Sequence, residues 1–347
     1  MSKILVIRFS ALGDVAMTIP VIYSFAVQYP QHQVSVLSRE AFRPLFSGLP
    51  ENVSFVSADF KGEHRGIKGL FRLSQQLKAM KFDAIADLHD VLRSQFIRLC
   101  FRFQGLTIAH ILKGREGKKQ LISKHHKVLK EQVSSFARYQ DVFVRLGYSF
   151  PLNFTSIYGV GQGNLSLIKQ YTGTKDEVKW IGIAPFSKHE GKIYPLELQE
   201  QIVAHFAADK QVKVFLFGGG KVEEQTFDAW KEKYPSIVSM IGKLNLSTEL
   251  ILISHLDAMI SMDSANMHLA SLVGTPVVSV WGATHPYCGF MGWKQSLDNA
   301  VQIDLACRPC SIYGQKPCFR GDYACLWEIK PKQVIEKVEE VIKQGNK

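Results

Sequence analysis

Two aspartates occupy positions from which a carboxylate could take part in chemistry. Asp14 ends the loop Ser10-Ala-Leu-Gly-Asp14 after the apolar run 4–7, and Asp263 directly follows the apolar run 258–262. Each run predicts a buried strand that leads through a tight turn into a helix. The carboxyl ends of parallel strands form the ligand-binding edge of an open α/β sheet. Each carboxylate could therefore lie beside a bound ligand there, or could simply cap its helix.

The helix after Asp263 also predicts a phosphate site. Ser264 stands at the cap position, His268 lies one turn into the helix, and Gly274-Thr-Pro276 ends it. A helix that starts directly after a central strand presents backbone N–H groups and the positive end of its dipole to a ligand. We therefore expect a phosphorylated ligand, with an ordinary capped core helix as the alternative interpretation.

Basic residues are concentrated in the first half of the chain. Residues 1–150 contain 22 Lys and Arg against 11 Asp and Glu, whereas residues 151–347 contain 20 of each. A surplus confined to one half indicates an anionic partner, namely nucleic acid, anionic lipid or a phosphorylated substrate, unless it is only a solvated surface. The segment 113–130 is too polar for a core element, and we expect it to be a mobile basic loop.

These residues need a scaffold of alternating strands and helices. Apolar runs predict strands at 4–7, 33–37, 82–88, 178–184, 212–217, 258–262 and 277–281, with helices at 133–147, 196–209 and 223–233. The stretch 151–177 is rich in Gly, Ser, Thr and Asn and predicts a domain boundary. We therefore expect an α/β protein with two doubly wound domains, residues 1–155 and 175–330, followed by an amphipathic helix over 331–347.

Four of the six cysteines lie close together, at Cys307, Cys310, Cys318 and Cys325. Four thiols at this density in a reducing compartment predict a structural tetrahedral metal site, or else free or paired thiols that hold a loop. The spacing is not that of a standard zinc ribbon.

Three motifs resemble those of the bacterial lipopolysaccharide heptosyltransferase family, glycosyltransferase family 9. They are Ser-x-x-Gly-Asp-Val with Ile-Pro over 10–20, the lysine loop over 185–195, and Asp-Ser-x-x-x-His-Leu-Ala with Gly-Thr-Pro and Trp-Gly-x-Thr over 263–284. Ala265 stands where the family usually has glycine, and Tyr194 where it usually has tryptophan. The resemblance implies the GT-B fold, with two Rossmann-like domains facing across a cleft and a C-terminal helix that returns to the first domain.

The same resemblance implies an inverting glycosyltransferase that needs no cofactor or divalent metal. It would transfer heptose or a related sugar from an ADP-sugar to a lipopolysaccharide core or Kdo-lipid A acceptor, with Asp14 as the catalytic base and Lys192 on the leaving diphosphate. The residues expected at the donor are Ser187, Asp263, Ser264, Ala265 and His268 from these motifs, and Gly218, Gly219 and Glu223 from the glycine loop after the strand at 212–217. Those expected at the acceptor are Ser10, Gly13, Arg65, Lys68, Arg93, Lys113 and Arg115.

The expected partners follow from the same interpretation. They are a nucleotide sugar, with ADP-heptose implied, and an anionic glycolipid acceptor. No apolar run is long enough to span a bilayer, and the apolar run 4–7 is too short for a signal peptide. We expect a cytoplasmic protein with peripheral contact at the inner face of the cytoplasmic membrane.

A second class of function is a non-catalytic anion- or nucleotide-binding protein on the same two-domain fold. Nucleic acid is not expected as its partner, because Lys and Arg are not interleaved with aromatic stacking residues and Asp14 would repel phosphate. A dinucleotide-binding enzyme is disfavoured because no Gly-x-Gly-x-x-Gly follows the first strand. The residues themselves leave the identity of the nucleotide sugar open.

Overall fold

The computed structural model describes residues 1–345 and divides the chain into two compact units. The first unit comprises Met1–Lys113 and Val133–Ile157, and the second comprises Gly114–Gln132 and Tyr158–Lys347. The prediction of one domain over residues 1–155 is corrected at the inserted segment Gly114–Gln132, which groups with the second unit. Residues 346 and 347 of the predicted C-terminal helix lie outside the described residues.

The first unit is a parallel sheet with helices between its strands. Its elements up to residue 113 are β1 (Lys3–Ile7), α1 (Leu12–Ala16), α2 (Ile19–Gln28), β2 (Gln33–Ser38), β3 (Val53–Ser57), α3 (Gly66–Ala79), β4 (Ala84–Asp87), α4 (Leu92–Phe101) and β5 (Thr107–His110). After α5 (Arg115–Leu121), which belongs to the second unit, α6 (Ser135–Arg145) returns to the first. The strand order is β3-β2-β1-β4-β5, and every pairing is parallel.

The second unit is built in the same way. Its further elements are α7 (Lys169–Thr172), β6 (Lys179–Ala184), α8 (Leu196–Ala208), β7 (Val212–Leu216), α9 (Lys221–Lys233), β8 (Val238–Ser239), α10 (Leu246–Ser254), β9 (Ala258–Met262), α11 (Ala265–Leu272), β10 (Val277–Val280), β11 (Ala300–Val301), α12 (Ala324–Trp327) and α13 (Pro331–Gly345). The strand order is β11-β10-β9-β6-β7-β8, again parallel throughout. The predicted class, two doubly wound α/β domains, is confirmed.

Strand order fixes where each sheet can bind a ligand. The winding reverses between β1 and β4 in the first sheet and between β6 and β9 in the second. At such a switch point the loops after two neighbouring strands diverge, and a crevice opens outside the carboxyl ends of the strands. Asp14 follows β1 and Asp263 follows β9, so both aspartates selected from the sequence belong to switch-point loops.

The segment expected to be a mobile basic loop is instead folded. Leu121, the last residue of α5, is fully buried in a cluster with Cys288 and Ile312. The ammonium of Lys127 donates to the carbonyl oxygens of Cys307 at 3.1 Å and Pro309 at 2.6 Å. Polarity alone was misleading here, because one buried leucine and one lysine that satisfies backbone acceptors are enough to dock the segment.

Helix α13 also departs from its expected position. Val334, Val338 and Val341 repeat at helical spacing and are buried in the core of the second unit, where the helix packs on α8 and β10. The expectation that the C-terminal helix returns to the first domain is therefore wrong. The periodicity identified an apolar face, but it could not identify the surface that the face covers. Among residues 1–345, no helix is both long and apolar enough to cross a membrane.

Candidate active site

The carboxylate of Asp14 is held at the switch point of the first sheet. Asp14 is the third residue of α1, and its Oδ2 accepts a hydrogen bond from the backbone N–H of Ala11 at 3.0 Å. Its Oδ1 lies 2.9 Å from Nη2 of Arg8. Both contacts favour the ionised carboxylate, while 34% of the side chain remains exposed. Asp14 is therefore fixed in place and can still be reached by a ligand.

Arg8 is the part of this site that the sequence analysis missed. It directly follows β1, its side chain is only 10% exposed, and its Nη1 donates to the carbonyl of Leu88 at 2.7 Å. The guanidinium also lies 5.7 Å from the ring centroid of Tyr139. A buried cation is rarely without a partner. The sequence offered one signal for this pair, because Arg8 ends a buried strand and lies six residues before Asp14.

The loop after β4 brings a second group to the same edge. Nδ1 of His89 accepts from the backbone N–H of Phe9 at 3.3 Å, which requires an unprotonated Nδ1. Burial and the positive charge of Arg8 lower the pKa of His89 to about 3. A histidine with this pKa is neutral at ordinary pH, so it can donate a hydrogen bond from Nε2 but cannot serve as a cationic acid.

Asp90 and Lys113 close this edge from the side of β5. Asp90 has a left-handed backbone with φ of 48°, and its Oδ1 accepts from Arg98 at 2.8 Å and Gln95 at 3.0 Å. Burial raises the pKa of Asp90, but these contacts lower it by more, so that it lies below its ordinary value. Nζ of Lys113 donates to the Asp90 carbonyl at 2.6 Å. Lys113 is thus attached to the loop that carries His89.

The other residues expected at the acceptor are only partly brought together. Ser10 and Gly13 share the loop of Asp14. The guanidinium of Arg93 lies 4.9 Å from the ring centroid of Phe60, which itself packs edge-on against Phe9. Arg65 and Lys68, at the start of α3, are exposed, and Arg115 belongs to the second unit. For these residues an acceptor contact stays a prediction.

In the second unit, Lys192 and Asp263 meet at the switch point between β6 and β9. Nζ of Lys192 lies 3.2 Å from Oδ2 of Asp263, and their side chains are 14% and 7% exposed. The hydroxyl of Ser187 donates to the Asp263 carbonyl at 3.1 Å. Three residues chosen from two distant motifs therefore form one cluster, which includes an ammonium group with three donor hydrogens.

The backbone around Lys192 leaves its side chain little freedom. Gly314 has φ of +77°, and a Cβ placed there would lie 2.4 Å from Cγ of Lys192. The carbonyl of Gly191 accepts from the N–H of Ala283 at 2.8 Å. Glycine at these two positions lets the loop near 314 lie against the aliphatic stem of Lys192 and lets the loop over 281–284 lie against Gly191.

Helix α11 begins directly beside this pair. Ser264 is its N-cap residue and Ala265 its first residue, and the Ser264 side chain makes no capping hydrogen bond within the described chain. Its hydroxyl lies 3.1 Å from the hydroxyl of Ser261 instead. His268 is buried one turn further along. The Ser264 side chain therefore does not accept from the backbone N–H groups of the first turn. A helix start that receives an anion requires this arrangement.

The glycine loop after β7 is held by Glu223. Oε2 of Glu223 accepts from the N–H of Gly219 at 2.8 Å, and a Cβ at Gly218 would lie 2.5 Å from that oxygen. This contact gives Glu223 and the neighbouring glycines a structural explanation. Their part in donor binding stays a prediction.

The cysteine loop does not form the predicted metal site. In residues 1–345, no three His, Cys, Asp or Glu side chains are grouped so that they could hold a metal ion. Burial raises the pKa of Cys310 and raises that of Cys325 to about 12. All four thiols are unbridged. The spacing alone could not distinguish this arrangement from a metal site.

The fold and its two sites define a two-domain α/β enzyme of the GT-B class, with a held carboxylate in one unit and a lysine beside a helix start in the other. The sequence pattern of glycosyltransferase family 9 (heptosyltransferase) matches residues 70–317. The chain belongs to this family and is a glycosyltransferase, which favours the catalytic interpretation over a non-catalytic binding protein.

Individual relatives agree with this assignment. Lipooligosaccharide heptosyltransferase 2 of Campylobacter jejuni is 23% identical over 349 residues, covering 96% of this chain and 97% of the relative. A solved family 9 glycosyltransferase of Veillonella parvula superposes with a TM-score of 0.77 at 19% identity, covering 99% and 98% of the two chains. Escherichia coli heptosyltransferase WaaC with ADP-2-deoxy-2-fluoro heptose superposes with a TM-score of 0.65 at 17% identity, covering 97% and 99%.

Proposed function

We propose that the enzyme transfers heptose from ADP-heptose to a sugar of a lipopolysaccharide core acceptor, with inversion at the anomeric carbon. The observation that carries this proposal is the carboxylate of Asp14, fixed by Arg8 at a switch point and still accessible. Related chains named as lipooligosaccharide heptosyltransferases and a fold neighbour with an ADP-heptose analogue support the choice of donor and acceptor class.

In the proposed reaction the two units supply different groups. Asp14 accepts the proton of an acceptor hydroxyl while that oxygen forms a bond to the anomeric carbon on the face opposite the diphosphate. The bond between the anomeric carbon and the phosphate oxygen breaks, and its electron pair leaves with ADP. One displacement of this kind inverts the configuration, and no covalent sugar intermediate forms on the protein.

Lys192 would stabilise the negative charge that develops on the leaving diphosphate. Its ammonium contacts Asp263 at 3.2 Å and has further hydrogens to donate to phosphate oxygens. The Ser187 hydroxyl and the first-turn amides of α11 would add donors that are already oriented before the donor arrives. We propose that these groups do the work for which other glycosyltransferases use a divalent cation.

The acceptor is proposed to be an anionic glycolipid at the inner face of the cytoplasmic membrane, reached by peripheral contact. The Lys and Arg surplus of residues 1–150 supports this choice, because basic residues near an anionic membrane contribute about 1 kcal/mol each.

The proposed function can be tested by nucleotide release and product stereochemistry. The enzyme is supplied with Kdo-lipid A and, in turn, ADP-heptose, ADP-glucose and UDP-glucose, in buffer with and without EDTA. We expect ADP release that is fastest with ADP-heptose and unaffected by EDTA, and a product whose new linkage shows inverted configuration by NMR. Absence of transfer from any ADP-sugar would contradict the donor assignment, and a retained configuration would contradict the single displacement.

A further inference from the structure

A second basic site lies in the second unit, apart from the Lys192 cluster. The docked segment over 122–127 and the cysteine loop over 306–319 enclose a pocket of about 580 Å³. Pockets for small ligands generally measure about 300 to 1,000 Å³. Among the described residues that line it, none is Ser187, Lys192, Asp263 or His268. The pocket is therefore distinct from the site proposed for the donor diphosphate.

The walls of this pocket are fixed by buried contacts. Lys127 lines it and, through its hydrogen bonds to the carbonyls of Cys307 and Pro309, joins the two segments that form it. Leu121 anchors the same segment in a buried cluster. These contacts mean that the pocket is a built feature of the fold and not a gap between two mobile loops.

The lining combines positive charge with apolar surface. Lys124, His125, Lys127 and Lys316 line the pocket, and within the described lining there is no Asp or Glu. The ammonium of Lys124 lies 4.6 Å from the ring centroid of Phe319, which is also part of the lining. Ammonium groups provide charge-assisted hydrogen bonds to a phosphate, and an aromatic ring can pack against the apolar face of a sugar.

The pocket is also connected to the loop of Lys192. Cys310 lines the pocket, and its N–H donates to the carbonyl of Ala283 at 3.0 Å. The N–H of Ala283 in turn donates to the carbonyl of Gly191, the residue before Lys192. Two backbone hydrogen bonds thus join the pocket wall to the loop that would contact the leaving group.

We propose that this pocket binds a phosphorylated sugar through Lys124 and Lys316, and that this sugar is part of the acceptor. The assignment to the acceptor rests on the proposed function, whereas the binding of a sugar phosphate does not. Glucose 6-phosphate is a suitable probe, since it carries one phosphate on a hexose of a size that the pocket can hold.

Binding is measured by calorimetry on the full-length protein saturated with ADP, so that the donor site is filled. We expect glucose 6-phosphate to bind and glucose not to bind. In the variant Lys124→Ala/Lys316→Ala, affinity for glucose 6-phosphate should fall about tenfold or more, because two charge-assisted contacts are lost. Lys130→Ala/Lys210→Ala removes two exposed lysines outside the lining and should bind as the native protein does.

Failure of glucose 6-phosphate to bind the ADP-loaded protein, or equal affinity in the variant and the native protein, would overturn the site. Because no sugar transfer is measured, these outcomes are independent of the proposed function. The source of the phosphate is tested by kinetics with an acceptor before and after phosphatase treatment. If it belongs to the acceptor, Lys124→Ala/Lys316→Ala should raise KM about tenfold or more for the phosphorylated acceptor only. Equal effects on both acceptors would overturn the assignment to the acceptor.

Discussion

The guanidinium of Arg8 lies 2.9 Å from the carboxylate of Asp14 and also donates to the carbonyl of Leu88. Arg8 follows β1 and Leu88 follows β4, so one side chain connects the carboxylate to both strands of the switch point. We infer that Arg8 is a positioning residue, which orients Asp14 without touching the reacting atoms.

Arg8→Gln should therefore lower kcat by about tenfold to a hundredfold, since one charge-assisted hydrogen bond to the base is lost. The Kd for ADP should stay unchanged, because no donor contact is altered. Arg8→Lys should recover part of the loss by restoring the charge. The check is steady-state kinetics together with thermal melting and ADP calorimetry. A folded Arg8→Gln variant with native kcat would exclude this role.

His89 should remain neutral throughout the pH range of an activity assay. Its pKa of about 3 in the folded protein lies below that of an unfolded histidine. The unfolded chain therefore takes up a proton first, near pH 6.5, so this contribution to stability is complete above that pH and is lost as pH falls towards 3. Between pH 6.5 and 5 the loss is at most about 2 kcal/mol of unfolding free energy.

NMR titration of the histidine ring protons checks this prediction directly. His89 should show no titration between pH 8 and 5, and free histidine in the same buffers serves as the control. In urea unfolding, His89→Gln should lose less stability between pH 7.5 and 5 than His126→Gln. Titration of His89 near pH 6.5 would show that its ring is not buried and neutral as described.

Lys192→Ala should weaken the binding of ADP by about tenfold or more and also slow transfer. A charge-assisted contact to phosphate is lost, and Asp263, only 7% exposed, then faces the diphosphate without its counter-charge. Adding Asp263→Asn should recover part of the affinity, because the repulsion is removed. Calorimetry with ADP measures both effects, and Lys188→Ala, an exposed lysine in the same loop, is the control. Native affinity and kinetics in Lys192→Ala would assign this lysine a structural role only.

Acceptor affinity should depend on salt more steeply than donor affinity. Exposed charges are screened over about 8 to 10 Å at ordinary ionic strength, whereas the Lys192 pair is nearly buried. Lys113 is bound to the Asp90 carbonyl, and Lys118 lies 4.6 Å from the Phe290 ring centroid. The exposed Arg115 and Lys119 are therefore the better pair to substitute in a test of surface charge. Arg115→Ala/Lys119→Ala should flatten the salt dependence of acceptor KM, while the exposed Lys210→Ala/Lys231→Ala should not. Equal dependence of donor and acceptor affinity on salt would mean that the basic surplus is only a solvated surface.

Sequence patterns predicted the central strands and the residues at their carboxyl ends. β1, β6 and β9 are mostly apolar and are buried at every position except the first residue of β1 and β6, and this pattern indicates buried strands. The strands that went unpredicted are shorter or less buried: β3 has no fully buried residue, β5 has four residues, and β8 and β11 have two each. In such strands, neighbouring strands supply most of the stabilisation, and a local pattern does not contain that information.

Long-range relationships were the other part that the sequence could not supply. The Lys192–Asp263 pair joins residues 71 positions apart, and only the shared motif order suggested that they meet. Arg8 had a local partner in Asp14, but its second partner, the backbone carbonyl of Leu88, is 80 residues away and left no local pattern. Similarly, no periodicity shows that α13 packs on α8, or that the segment Gly114–Gln132 docks on the second unit.

The role of Asp14 as the catalytic base is tested most directly by Asp14→Asn, measured for turnover of ADP-heptose with Kdo-lipid A and for ADP affinity. Asparagine retains the shape of the side chain but cannot accept the hydroxyl proton. We predict a folded protein with native ADP affinity and a melting temperature lowered by the loss of the Arg8 ion pair, with turnover lowered about a hundredfold or more. Asp83→Asn is the control. Asp83 is an exposed aspartate that accepts from the N–H of Lys3 at the amino end of β1, the strand that precedes Asp14. Near-native turnover in a folded Asp14→Asn enzyme would contradict the account.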